Sequence, residues 1–162
     1  MQYLGNMSRC WMFTAHASRV IVALNYHNII NPEPRNEVEE EIHACVYICY
    51  FFDKTLSLLL LRPPSLPELQ VEPAQLIHLD SELPTTSMVT ALVELAHLKN
   101  TLLSVLLDSK EMGDMEKANI LSDLVVRAHT IHSNLQMVSS HTIYRETQLN
   151  DESIHSTVSV NH

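Results

Sequence analysis

The sequence predicts an all-α domain of about four main helices, with proline-rich connections and a frayed C-terminal tail. Three observations predict it. Hydrophobic residues make up 46% of the chain, while only two residues are glycine, too few for a sandwich with many tight turns. The seven prolines fall mostly between apolar segments. Within those segments the apolar positions recur at intervals of three and four, the helical period. A chain of 162 residues fits one domain with a real core.

The first helix is predicted to start at Ser8, whose hydroxyl can cap it. Phe13, Ala17, Val20 and Leu24 form its apolar face. It should fade near Asn28 to Asn31, ahead of Pro32 and Pro34. Residues 1–30 hold Arg9 and Arg19 and no acid, a composition shared with mitochondrial presequences; a buried first helix is the preferred reading. In the second helix, Asn36 with Glu39 reads as a capping box, and the acids that follow suit the positive helix end. Val38, Ile42, Cys45, Cys49, Phe52, Leu56 and Leu59 form one continuous face of about seven turns. Pro63 and Pro64 end it, because each lacks an amide donor. From Arg62 to about Pro84 an extended connection is expected.

Thr85, Thr86 or Ser87 can cap the third helix, with Met88, Ala91, Leu95, Leu98, Leu102 and Val105 as its face. The next break is "DSKEMGD", with Gly113 as turn residue. Asp114 caps the fourth helix, whose face is Ala118, Leu121, Val125, Ala128, Leu135 and Val138. Residues 139–162 are polar and read as a poorly ordered tail after the domain of residues 1–138.

The formal charge of −9 and the scattered lysines and arginines make this chain a poor binder of DNA phosphate. Three cysteines without framework spacing point to a reducing compartment. Residues 42–61 have the length of a membrane span. Asp53 and Lys54 would each cost roughly 2.5–3.5 kcal/mol in mid-bilayer, so a buried helix outside the membrane is the reading.

Ten histidines raise the question of metal. His129 and His132 share a helix face but lack two further suitably spaced ligands. Cys45 and Cys49 lie on an apolar stripe, where free cysteine behaves as a small hydrophobe. There is no phosphate loop, no nucleophile elbow and no His-Glu-x-x-His. The expectation is no enzyme, no cofactor and no metal site in this chain.

One set of residues goes further. "GNMSRCWMFTAHASRVIVALNYH" followed by "DKTLSLLLLRPPSLPEL" resembles the fungal-specific transcription factor domain, the regulatory middle region of binuclear zinc-cluster transcription factors. The likeness rests on Trp11, Ala17, Arg19 and Leu24 to His27 in the first helix. In the second it rests on Asp53, Lys54, Leu56, Ser57, Arg62, Pro63 and Pro64. It covers about residues 5–73, within a partial regulatory domain over residues 1–138. Three departures stand out. Leu61 replaces the glycine usual before Arg-Pro, so this helix should end differently. Glu40-Glu41-Ile42-His43 replaces a basic, aromatic helix entry. The six-cysteine zinc cluster and its coiled-coil linker are absent, so the chain looks like a fragment, a truncated gene model or a diverged regulator.

The resemblance implies a nuclear, non-catalytic role in regulating transcription. DNA would be read, and zinc held, only by a module absent here. Partners would be other proteins or same-family regulators, with a small-molecule effector compatible and no membrane. The alternative is a stand-alone helical interaction module. Asp53, Lys54, Ser57 and Arg62 are expected to form a polar cluster fixing the long helix to the loop after it. Asp53 and Ser57 stand one turn apart, within direct reach. A direct Asp53–Arg62 pair would need the chain to turn back at Pro63.

Overall fold

The computed structural model describes the backbone of residues 2–71, 84–107 and 112–159, and the side chains of 6–71, 88–107 and 112–137. Four helices carry it: α1 (Gln2–Ala23), α2 (Glu37–Leu60), α3 (Pro84–Leu107) and α4 (Asp114–Ser159). No strand occurs among the described residues, so the fold is all-α.

Local chemistry sets the helix ends. α1 stops at Ala23, before the Asn28 to Asn31 stretch, because Asn25 takes left-handed backbone with φ 58°. The Tyr26 amide then donates to the Ile21 carbonyl and the Asn25 amide to the Val22 carbonyl, a Schellman closure. α1 also starts upstream of Ser8, which lies inside the helix and does not cap it. At the start of α2, Asn36 Oδ1 accepts the Glu39 amide at 2.9 Å. The Glu39 carboxylate reaches back one residue further than a capping box requires and accepts the Arg35 amide at 2.8 Å. α3 begins at Pro84, ahead of the threonines and serine expected to cap it, since a proline at the first helical position loses no hydrogen bond. The 72–83 part of the expected connection and most of the break at 108–111 lie outside the described residues. Asp114 opens α4 as its first helical residue, with the Gly113 carbonyl accepting from the Lys117 amide. The backbone of α4 stays helical to Ser159, through the polar stretch for which the sequence predicts a tail.

The helices pack in sequence order: α1 on α2, α2 on α3, α3 on α4. Among the described residues α1 and α4 do not meet. The core lies around α2. It joins Ile21 and Ile29, Val46, Tyr47 and Tyr50 of α2, Leu66, Leu69 and Val71 of the following segment, and Val93 and Ala96 of α3.

Several predicted faces are corrected. In α1 the stripe Phe13, Ala17, Val20 and Leu24 is exposed, Phe13 to 74%. Ala15, Ser18 and Ile21 are buried instead: Ala15 and Ser18 are small enough to let α2 approach closely, and Ile21 enters the core. In α2 Cys49 and Leu56 are buried as expected, Ile42 is half-buried, and Val38, Cys45, Phe52 and Leu59 face outward. In α3 Ala91 and Val105 are buried, Leu95, Leu98 and Leu102 are half-buried, and Met88 is exposed. In α4 Leu124 and Ile131 are buried, while Ala118, Leu121, Val125, Ala128 and Leu135 are exposed. Each helix carries apolar residues on more than one side, and among the described residues not every apolar side meets a neighbour.

Candidate functional site

The polar residues of greatest interest gather where α2 hands over to the next segment. α2 ends in a second Schellman closure. Leu61 adopts the left-handed conformation, φ 50° and ψ 49°. Its amide donates to the Leu58 carbonyl at 3.3 Å, and the Arg62 amide to the Ser57 carbonyl at 2.9 Å. The expectation that leucine would force a different ending is therefore wrong. The exposed leucine accepts the geometry that glycine usually fills, at a cost of about 1–2 kcal/mol.

This ending turns the chain back along α2, and residues 62–71 form a strap over it. The strap has no ladder partner, so its backbone groups need others. Asp53 and Lys54 supply them. Asp53, fully buried, accepts the Ser65 amide at 2.9 Å and the Leu66 amide at 3.0 Å. Lys54, 1% exposed, donates to the Leu66 carbonyl at 2.6 Å. Adjacent residues of opposite charge thus satisfy both backbone groups of Leu66, whose side chain enters the core. Lys54 Nζ lies 3.8 Å from Asp53 Oδ2, 3.9 Å from Glu68 Oε2 and 4.9 Å from the Tyr50 ring centroid. Burial lowers the Lys54 pKa, and the neighbouring Asp53 and Glu68 charges oppose that shift.

A second knot fastens the strap to α3. Glu68 Oε1 accepts the Tyr50 hydroxyl at 2.6 Å and lies 2.5 Å from His97 Nδ1. Its other oxygen accepts from Asn100 Nδ2 at 2.9 Å. Burial pushes the Glu68 carboxyl up, but the bonds from His97 and Tyr50 and the positive charges of His97 and Lys54 outweigh it, leaving it below its ordinary value. Tyr50 is pushed strongly up, first by burial and then by Glu68. Nearby, Lys99 Nζ donates to Thr55 Oγ1 at 2.8 Å and sits 3.9 Å above the Phe51 centroid.

The residues singled out from the sequence separate into groups. Asp53 and Lys54 hold the strap. Arg62 turns the other way and stacks on Trp11 of α1, 4.7 Å from the ring centroid. Ser57 is fully buried, but its hydroxyl has no hydrogen-bond partner, so the Asp53–Ser57 contact does not form. The backbone amides of the strap occupy Asp53 instead. Arg19 is exposed on α1, and His27 is half-buried just beyond its end. Pro63 and Pro64 start the strap. Sequence reasoning missed Tyr50, Glu68, His97 and Asn100. Only the "SLPEL" that continues the Arg-Pro-Pro stretch hinted that Glu68 belonged with it.

Chemically this arrangement fastens three segments. The Asp53 oxygens accept backbone amides and the Lys54 nitrogen donates to a backbone carbonyl. Among the described residues no three His, Cys, Asp or Glu side chains are placed to hold a metal ion.

The family model of the fungal specific transcription factor domain matches residues 1–159, well beyond the 5–73 that carry the legible motifs. No curated protein and no solved structure matches the chain.

Proposed function

Because the chain belongs to the fungal specific transcription factor domain family, we propose that it is the regulatory, non-DNA-reading part of a zinc-cluster transcription factor. It acts in the nucleus through protein contacts. The observation that carries this reading is the family match over nearly the whole chain, in a family of transcription factors and not of enzymes. Two features support it. The family-like residues Asp53, Lys54, Arg62 and Trp11 serve as fasteners between α1, α2 and the strap. The charge of −9 is unfavourable for gripping DNA phosphate, which fits a chain that leaves DNA reading to a separate module.

Two measurements test it together. The chain is fused to an unrelated DNA-binding module and its effect on a reporter promoter is read against the module alone. The isolated chain is taken through a gel shift. A change in reporter output without sequence-specific DNA binding is expected. An unchanged reporter, or a specific complex that survives raised salt, would overturn the reading.

A further inference from the structure

α2 has neighbours on three sides: α1, α3 and the strap. Its fourth side has no neighbour among the described residues, and its composition is wrong for water. Between Ile42 and Leu60 the exposed positions are Cys45, Ile48, Phe52 and Leu59. None carries a charge, a hydroxyl or an amide. Val38 extends the line by two turns, and Val38, Phe52 and Leu59 are each at least half exposed. A helix side that faces solvent is ordinarily polar. Moreover Val38, Cys45, Phe52 and Leu59 repeat every seven residues, with Ile48 between them. That is the period of a seam between two helices.

We propose that this stripe docks a second copy of the chain, α2 against α2, antiparallel about a two-fold axis beside Ile48. A two-fold interface must be complementary to itself. Here it is: antiparallel pairing centred between residues 48 and 49 sets Cys45 against Phe52 and Val38 against Leu59. A small side chain faces a larger one in each pair, so the two surfaces interdigitate.

Charge selects the same direction. Glu37, Glu39, Glu40 and Glu41 crowd the first turns of α2. Parallel pairing would bring the two acid runs side by side. Antiparallel pairing separates them by about 28 Å along the axis, several Debye lengths at physiological salt. Each run then faces residues 56–60 of the other copy, which carry no charge. A bilayer fits less well. α2 is long and apolar enough to pass as a span, but the acid run at its start is repelled by an anionic membrane surface, whereas the antiparallel register places it against uncharged residues.

The seam from Val38 to Leu59 is about 32 Å long and one helix wide, which places it among small, transient interfaces. The dimer is therefore weak and depends on concentration. This proposal stands independently of the regulatory role.

The test is sedimentation of the full chain over about 5–500 µM, a range suited to an interface of that class. It uses a Cys10→Ser background that removes the other exposed thiol. A monomer giving way to dimer is expected. Phe52→Glu should leave the chain monomeric with its helical circular dichroism intact. Phe52→Cys should give a covalent dimer on mild oxidation, through Cys45 of one copy and the new thiol of the other, because a disulfide needs Cα atoms within about 7 Å. Leu59→Cys, whose partner position is Val38, should not. A monomer throughout the range overturns the proposal. In that case slow labelling of Cys45 would mean that another segment of the same chain covers the stripe, and fast labelling that it stays bare. Association that survives Phe52→Glu, equal cross-linking by Leu59→Cys, or assembly only on anionic vesicles also overturns it.

Discussion

Arg62 leaves the end of α2 and lays its guanidinium over the Trp11 ring of α1, 4.7 Å from the centroid. A residue set by a helix stop is thereby used to fasten a different helix. The contact is half-buried, so a cation–π energy of about 0.5–2 kcal/mol applies. Arg62→Ala should lower the thermal midpoint by about 2–4 °C per kcal/mol lost. Trp11 is the only tryptophan, so its fluorescence reports the contact directly. The emission should shift to the red and become easier to quench in Arg62→Ala, and much less in Arg62→Lys. An unchanged midpoint and spectrum would deny Arg62 this role.

Asp53 and Lys54 are coupled through one strap residue, Leu66. Removing Asp53 leaves the buried Lys54 ammonium with only the half-exposed Glu68 as counter-charge, and breaking a buried pair typically costs about 3–5 kcal/mol. Asp53→Asn should therefore bring the urea midpoint down severely. Combining it with Lys54→Met removes the stranded ammonium and should recover much of the loss. Recovery stays incomplete, because the Leu66 carbonyl then lacks its donor. If the double variant were as unstable as the single one, the stranded lysine would not be the cause.

How far the sequence reveals this arrangement depends on the range of each interaction. Helix number, the Asn36 cap and the polar role of Asp53 and Lys54 are legible, since period, capping chemistry and charge in an apolar run are local signals. The strap is not, because Tyr50 meets His97 across 47 positions and Glu68 meets Asn100 across 32. No periodicity marks such pairs. The buried faces fail for another reason. α1 offers both Phe13-Ala17-Val20-Leu24 and Ala15-Ser18-Ile21, and only the second is chosen. Hydrophobic spacing ranks the first higher, while close helix approach prefers the small residues. Charge and spacing suggest Arg62 beside Asp53, but its partner is the Trp11 ring of α1, 51 positions away in sequence.

Leu61 holds a left-handed conformation without the freedom of glycine. Leu61→Gly relieves about 1–2 kcal/mol of strain and costs about 0.5–1 kcal/mol in unfolded-chain entropy. Little burial is lost, because the leucine is 59% exposed. A net gain of about 0.5–1 kcal/mol is expected in urea unfolding. Asn25→Gly at the end of α1 should gain less, since asparagine tolerates that region better than leucine. Equal gains at both sites would mean that the strain at Leu61 is already relieved.

Acid should loosen the strap through Glu68. Its ordinary pKa is 4.5; burial raises it, and the His97 and Tyr50 contacts bring it lower. A carboxylate with a lowered folded-state pKa contributes stability that is present above 4.5 and is lost as pH falls through the folded value below it. The urea midpoint should therefore drop below that pH, and Glu68→Gln should flatten this part of the curve. The side chain is 46% exposed, so solvent screening keeps the step modest. Glu94 supplies the opposite sign. Burial raises its pKa against the opposing charges of Arg127 and His97, so its ionisation works against the fold as pH rises. Glu94→Gln should raise the midpoint at neutral pH and steepen the net acid loss. If Glu68→Gln left the acid limb unchanged, Glu68 would not be the group through which acid loosens the strap.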